Sequence, residues 1–184
     1  MLLGRMPVVV LCAIAVSLSL AACGGSSGSS GPSPAAYVKS ICQAIGPFEQ
    51  SVQARSKALQ TASIKSAADG KKVLQQFLSQ VVTDTDNALT KLKAAGTPNV
   101  KNGAQVSNTI VGAFTKLKTA LSAAATQAGN LPTNSPVAFQ AAAQRLGASV
   151  NTSMQGIGTP LNSLKSAELE AAAKKEPACA KLGA

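Results

Sequence analysis

The sequence predicts an all-α domain, an antiparallel up-down four-helix bundle with a short fifth helix at its C-terminal end. Two observations predict this class. Apolar residues recur every three or four positions along four segments between Tyr37 and Leu164, and no run of alternating β-branched residues competes with them. The segments are joined by short polar connections, which favour antiparallel packing between neighbouring helices.

The chain opens with a segment that is typical of a signal peptide. Arg5 provides a short positive start, and residues 8–20 form an apolar run. A membrane-spanning helix needs about 20 apolar residues. This run is shorter, and Gly and Ser follow it closely, so we predict a signal peptide over residues 1–22.

The four residues that end this segment, Leu20-Ala21-Ala22-Cys23, resemble the lipobox of bacterial lipoproteins. The resemblance implies that the Cys23 thiol accepts a diacylglyceryl group with fatty-acyl chains such as palmitate, and that the chain is cleaved before Cys23. Two acyl chains give stable anchoring. The implied location is the extracytoplasmic face of the cell membrane. The alternative is an ordinary signal peptide in which the cysteine is incidental.

Residues 23–36 are predicted to be the lipidated cysteine followed by a flexible tether. The sequence GGSSGSSGPSPAA after Cys23 is rich in Gly, Ser and Pro and carries no apolar pattern. Thirteen residues of such a chain reach about 20 Å. The remaining residues, 37–184, are predicted to form the helical bundle domain.

The first two helices are predicted from apolar stripes. The first stripe consists of Tyr37, Ile41, Ile45, Phe48, Val52 and Leu59. The dipeptide Gly46-Pro47 interrupts it and predicts a kink or a restart. The second stripe consists of Val73, Leu74, Phe77, Leu78, Val81, Leu89 and Leu92, and the sequence Gly96-Thr97-Pro98 ends that helix.

The remaining helices follow the same pattern. The third stripe contains Val100, Ile110, Phe114, Leu117, Leu121, Ala124 and Ala128. Ser135 and Pro136 predict the N-cap and first turn of the fourth helix. Its stripe contains Phe139, Ala143, Leu146, Val150, Ile157, Leu161 and Leu164, with weak points at Gly156, Gly158 and Pro160. The fifth helix is predicted over Ala167–Lys175, with Ser166 as its cap.

Two of the four cysteines remain for the folded domain. Cys12 leaves with the signal peptide and Cys23 is assigned to lipid, so Cys42 and Cys179 are left. An even pair in an exported domain predicts a disulfide. The alternatives are two buried free thiols or a metal pair, although structural zinc requires four Cys or His ligands. We therefore predict no metal site.

Composition excludes several classes of function. The chain has no histidine, the commonest general base and metal ligand. Its formal net charge is +10, but the basic residues are scattered and only 3% of residues are aromatic, which argues against nucleic-acid binding. A basic surface of this kind favours an anionic membrane or wall polymer as a partner.

No set of residues predicts catalysis or a cofactor. A nucleophilic serine needs a base held against it, and the adjacent pairs Ser56 with Lys57 and Lys165 with Ser166 do not face each other on a helix. Asp84 and Asp86 flank Thr85 and point in different directions, as solvated polar residues do. The sequence leaves the ligand-binding residues unknown.

The arrangement as a whole resembles small actinobacterial lipoproteins and secreted proteins of unassigned activity, over most of the mature length. The resemblance rests on "LAACGG", "AAYVKSICQAI", "AAGTPNVKNG" and "EPACAKL". It implies the location and the helical fold, and no mechanism.

We therefore predict a membrane-anchored, non-enzymatic envelope lipoprotein that acts as an interaction module. The alternative is a carrier for a lipid or other apolar ligand, because small residues along the helix seams could leave room between helices. An enzyme would need a buried lysine or carboxylate with a perturbed pKa in a cleft. The protein partner and the oligomeric state stay open.

Overall fold

The computed structural model describes residues 31–162 and 164–182. It contains five helices: α1 (Pro34–Gln60), α2 (Ala67–Ala94), α3 (Gly103–Gly129), α4 (Pro136–Asn162) and α5 (Ala167–Lys175). No strand occurs among these described residues. The all-α class is therefore confirmed. The predicted signal peptide and Cys23 lie outside the described residues.

Serine caps begin four of the five described helices, whereas α3 follows Asn102, which makes no side-chain cap hydrogen bond. The Ser66 hydroxyl accepts a hydrogen bond from the Asp69 backbone N–H at 3.1 Å and donates one to the Asp69 carboxylate at 2.8 Å. The first of these bonds satisfies a free backbone donor in the first turn of α2. Ser166 caps α5 through the backbone N–H of Leu169, and α5 has the predicted bounds. Ser135 precedes α4, which begins at Pro136 as predicted.

Helix α1 begins earlier than predicted, and of the kink or restart predicted at Pro47 the restart does not occur. It begins at Pro34, inside the segment predicted as tether, because Ser33 caps it and proline fits a first turn. It also continues through Pro47 without a restart. Proline removes one backbone hydrogen bond from the helix. On either side of it, Ala44 is buried in the core and Phe48 packs against the core. Burial on both sides of Pro47 supports the helix through this position.

Helix α3 begins later than its predicted stripe. Val100 lies in the connection before it, since the chain turns at Gly96 and Asn102, which both have positive φ angles of 71° and 62°. The C-terminal ends of α2 and α3 match the predicted stops at Gly96 and Gly129.

Helix α2 lies at the centre of the packing. It packs along α1 and α3 and touches α4, whereas α4 packs mainly on α3 and α5 packs on α1. Among the described residues, the backbones of α1 and α4 do not approach each other. A four-helix bundle is compatible with this arrangement, which is open along the side between α1 and α4.

A single hydrophobic core joins α1 to α4. Leu92 is only 1% exposed, and the Phe48 and Phe114 rings meet edge to face with their centroids 5.6 Å apart. The buried members of the core are Ala44, Leu78, Val81, Ala88, Leu89, Leu92, Phe114, Leu117, Leu121, Ala124, Ala128, Leu131 and Leu146. Four of these thirteen are alanines, which bury little apolar area each. The core is continuous but thin.

The described chain begins against the connection between α2 and α3. The Pro32 carbonyl accepts a hydrogen bond from the Asn99 backbone N–H at 2.9 Å. A methyl group added at Gly31 would lie 2.1 Å from the Thr97 carbonyl oxygen, so only glycine fits there. We call this end of the molecule, formed by residues 31–39 and 91–102, the proximal end.

Tyr37 holds the proximal end together from inside. Its side chain is 2% exposed and hydrogen-bonds to that of Ser107, whose hydroxyl donates to the Gly96 carbonyl at 2.9 Å. Burial raises the pKa of Tyr37, and the Ser107 hydrogen bond opposes that rise. One buried phenol therefore links the start of α1 to the connection between α2 and α3.

A disulfide joins Cys42 of α1 to Cys179 in the C-terminal tail, with the two Cα atoms 5.1 Å apart. Leu182 follows and lies next to Gly46 of α1. The bridge closes a loop across 137 positions of sequence, which includes α2, α3, α4 and α5. It attaches the tail to the first helix, as the cysteine count predicts.

We expect reduction of this disulfide to lower the free energy of unfolding by about 2–5 kcal/mol, because the bridge restricts the unfolded chain. Urea unfolding followed by circular dichroism, with and without reductant, measures the change. The double variant Cys42→Ala, Cys179→Ala is the control, and its unfolding midpoint should not respond to reductant. Equal midpoints for the oxidised and reduced wild-type protein would contradict the prediction.

Candidate functional site

The predicted site residues fall into two groups. Cys42 and Cys179 are joined to each other. Cys23 lies outside the described residues, so its lipidation stays a prediction.

A surface groove lies between α1 and α2. It has a volume of about 500 Å³ and is open to solvent. Alanines and larger apolar side chains line one part of it, and Ser51, Arg55 and Gln80 line the other. A smaller recess of about 150 Å³ continues it past Asp84 to Pro47 and Lys91. We call the two together the α1–α2 groove.

A polar cluster lies where these two parts of the groove meet. The Arg55 Nε donates to Asp84 Oδ2 at 2.6 Å, and its Nη2 donates to Asp84 Oδ1 at 3.3 Å. The Ser51 hydroxyl donates to the same carboxylate at 2.7 Å, and Arg55 also donates to the Gln80 side-chain oxygen. The guanidinium therefore binds the carboxylate through two nitrogens, which is the strongest geometry for this pair.

Electrostatics in the cluster favour a charged Asp84. The hydrogen bonds from Arg55 hold the pKa of Asp84 below its ordinary value of 3.8. Partial burial opposes that lowering, while the Ser51 hydrogen bond and the charge of Arg55 reinforce it. A carboxylate that stays ionised and accepts hydrogen bonds from Arg55 and Ser51 links α1 to α2 as a structural anion.

Asp84 and Asp86 face different helices. Asp84 binds Arg55 of α1, whereas Asp86 accepts a hydrogen bond from Lys118 of α3 at 2.6 Å. The two carboxylates therefore do not form a pair, as their spacing on the helix predicts. The prediction that Asp84 is a solvated residue was wrong, however, since its side chain is only 15% exposed.

A signal for the polar cluster is present in the sequence, although the apolar stripes do not include it. Ser51 and Arg55 are four residues apart on α1, and Gln80 and Asp84 are four apart on α2. Residues at that spacing share one helix face. Two polar pairs interrupting the predicted apolar faces indicate a polar contact between these helices, but the sequence does not show which pairs meet.

A second groove lies between α3 and α4. It has a volume of about 440 Å³, is open to solvent, and is lined largely by small side chains such as Ala120, Ala123 and Ser153. Both grooves are open to solvent, and the smaller recess of the α1–α2 groove is bordered by the core residues Ala44 and Ala88. Within residues 31–156 and 164–182, every fully buried side-chain nitrogen or oxygen has a hydrogen-bond partner, so none of them points to a missing ligand.

The part of the chain that the structure describes offers neither a metal site nor a membrane span. No cluster of three or more Cys, Asp or Glu side chains there has the geometry to hold a metal ion. Among the described helices, none combines the length and the apolar character needed to cross a membrane.

Comparisons of the chain with protein-family models, with characterised proteins and with solved structures find no significant match. The function must therefore be inferred from the chain's own residues.

We expect Asp84→Asn to lower the free energy of unfolding by about 1–2 kcal/mol at pH 7, because it removes the charged partner of Arg55. The stabilisation from a lowered carboxylate pKa is present above the unfolded-state value of 3.8 and disappears as the pH falls through the lower folded value. The difference between wild type and variant should therefore be constant above about pH 5 and shrink below pH 3.8.

Urea unfolding between about pH 2.5 and pH 7 measures this difference. Asp86→Asn on the same helix is the matched control, because Asp86 is 52% exposed and its ion pair with Lys118 is screened by solvent. We expect that variant to change stability by less than about 1 kcal/mol. Equal effects of the two substitutions at pH 7 would contradict a special role for Asp84.

Proposed function

We propose that this protein is a bacterial envelope lipoprotein, anchored through Cys23 to the extracytoplasmic face of the cell membrane. The observation that carries the proposal is the sequence Leu20-Ala21-Ala22-Cys23, placed directly after a positively charged start and an apolar run. Two acyl chains on Cys23 would hold the folded domain at the membrane.

The joined cysteines support export. Disulfides form and persist outside the reducing cytosol. Cys42 and Cys179 are positioned for such a bond, and the thin core gives it a role in stability. An extracytoplasmic location would supply the oxidising conditions that the bond requires.

We further propose that the four long helices form an up-down antiparallel bundle. Residue pairings support this order. Along α1 and α2, Arg55 lies against Gln80, whereas Ser51, four residues earlier, lies against Asp84, four residues later. Between α2 and α3, Lys118 reaches Asp86, whereas Ser107 reaches Gly96.

The protein would act as a non-enzymatic interaction module. The described grooves are open at the surface, and the polar groups of the α1–α2 groove bind one another. Such surfaces suit contact with another macromolecule. The alternative function, a carrier of an apolar ligand, needs an enclosed apolar volume. These two grooves lack that enclosure, which is why we prefer the interaction module.

Mass spectrometry of the protein purified from the membrane fraction of a bacterial host tests the anchor. The N-terminal peptide should begin at Cys23 and carry a diacylglyceryl group. Cys23→Ala should remove the acylation and leave the signal peptide uncleaved, because the modified cysteine is the cleavage point that the lipobox resemblance implies.

Cys12→Ala is the matched control. It removes a cysteine from the same signal segment, and the acylated Cys23 peptide should be unchanged. A mature wild-type protein with a free Cys23 thiol would contradict the proposal and support the ordinary signal peptide.

A further inference from the structure

We propose that the proximal end of the domain docks directly on an anionic lipid bilayer, so that the anchored protein stands end-on with its α1–α2 connection farthest from the membrane. This inference rests on the proposed function, because Cys23 supplies the anchor. It adds an orientation and a lipid class. Three independent features of the described residues lead to it.

The first feature is the place where the chain enters the fold. The hydrogen bond from Asn99 to the Pro32 carbonyl and the close approach of Gly31 to Thr97 attach residues 31 and 32 to the connection between α2 and α3. Only residues 24–30 then separate this attachment from Cys23. A chain of that length spans at most about 30 Å when fully extended.

The second feature is the length of the helices. The 27 residues of α1 extend about 40 Å from the proximal end. The α1–α2 connection, residues 61–66, begins where α1 ends. We call the end formed by residues 57–72 the distal end. Because the link to Cys23 joins the proximal end, that end lies nearest the bilayer.

The third feature is charge. The proximal end carries four exposed lysines, Lys39, Lys91, Lys93 and Lys101, and no acidic residue. The neighbouring stretch from α5 to Leu182 carries three glutamates and three lysines and so adds no net charge. Each lysine close to an anionic membrane strengthens binding by about fivefold. No acidic side chain among residues 31–39 and 91–102 opposes the attraction of these lysines to anionic lipid.

The distal end provides the internal control. It also carries lysines, including the exposed Lys57, Lys65 and Lys72. A free protein could therefore approach an anionic surface with either end. The attachment of residues 31 and 32 places the proximal end, and not the distal end, next to the membrane. A general attraction of a basic protein to anionic lipid would allow either end to bind, so the orientation of the bound protein distinguishes the two cases.

Lysine labelling on vesicles tests the proposal with the wild-type acylated protein. We would reconstitute it into vesicles of phosphatidylcholine alone, or with about 30% phosphatidylglycerol, and treat both with an amine-reactive reagent. Labelling rates are then read for each lysine by mass spectrometry. On anionic vesicles, Lys39, Lys91, Lys93 and Lys101 should react about fivefold more slowly than on neutral vesicles. Lys57, Lys65 and Lys72 should react equally on both.

Two matched charge variants follow. In Lys91→Gln, Lys93→Gln, Lys101→Gln, protection of Lys39 on anionic vesicles should disappear. In Lys57→Gln, Lys65→Gln, Lys72→Gln, which loses the same charge at the distal end, Lys39 should stay protected. Gly31→Ala should also reduce the protection, since its new methyl group cannot fit beside Thr97 and the attachment must open.

Each outcome has one meaning. Acylated protein with equal labelling on both vesicles, or with protection at the distal lysines, would overturn the docking and leave the anchor intact. Unacylated protein, seen as an unmodified Cys23 peptide in the same digest, would overturn the proposed function and the docking together. Protection at the proximal lysines on neutral vesicles as well would show proximity without recognition of anionic lipid, and would overturn the lipid class.

Discussion

Burial of the apolar face of α2 is the interaction on which the rest of the structure depends. Leu78, Val81, Leu89 and Leu92 are each 4% exposed or less, and they lie on the helix that touches α1, α3 and α4. Full burial of such a side chain is worth about 1.5–3 kcal/mol. Alanine fills much of the remaining core, so these few larger side chains supply a large share of the hydrophobic stabilisation.

A thin core explains why covalent and polar links occur at its edges. The disulfide attaches the C-terminal tail to α1, and the bidentate pair of Arg55 and Asp84 joins α1 to α2. Tyr37 and Ser107 connect the start of α1 to the turn after α2. Each link involves α1, the helix that lacks backbone contact with α4 among the described residues. The links therefore reinforce the attachment of α1 to α2, to the turn after α2 and to the C-terminal tail.

The two ends of the domain differ in charge and in exposed apolar side chains. At the proximal end, the chain enters beside a turn that carries lysines and no acids, whereas the distal end presents the exposed Ile64 and, on the neighbouring α4, Val137. If Cys23 is acylated, the short link to residue 31 makes this difference an orientation relative to the membrane. The interaction surface of an end-on protein would then be its sides and its distal end.

The sequence by itself determined the class of fold, the ends of α2 and α3, the starts of α4 and α5, and the cysteine pair. Those features depend on local rules: apolar spacing, serine caps at Ser135 and Ser166, and the stop at Gly96, each of which acts within a few residues. Pro47 was harder to interpret, because its effect depends on whether burial around it supports the helix. The tertiary structure alone decided that Asp84 binds Arg55, that Pro32 binds Asn99, and that α1 stays apart from α4. These contacts join residues far apart in the chain, and their partners depend on how whole helices pack.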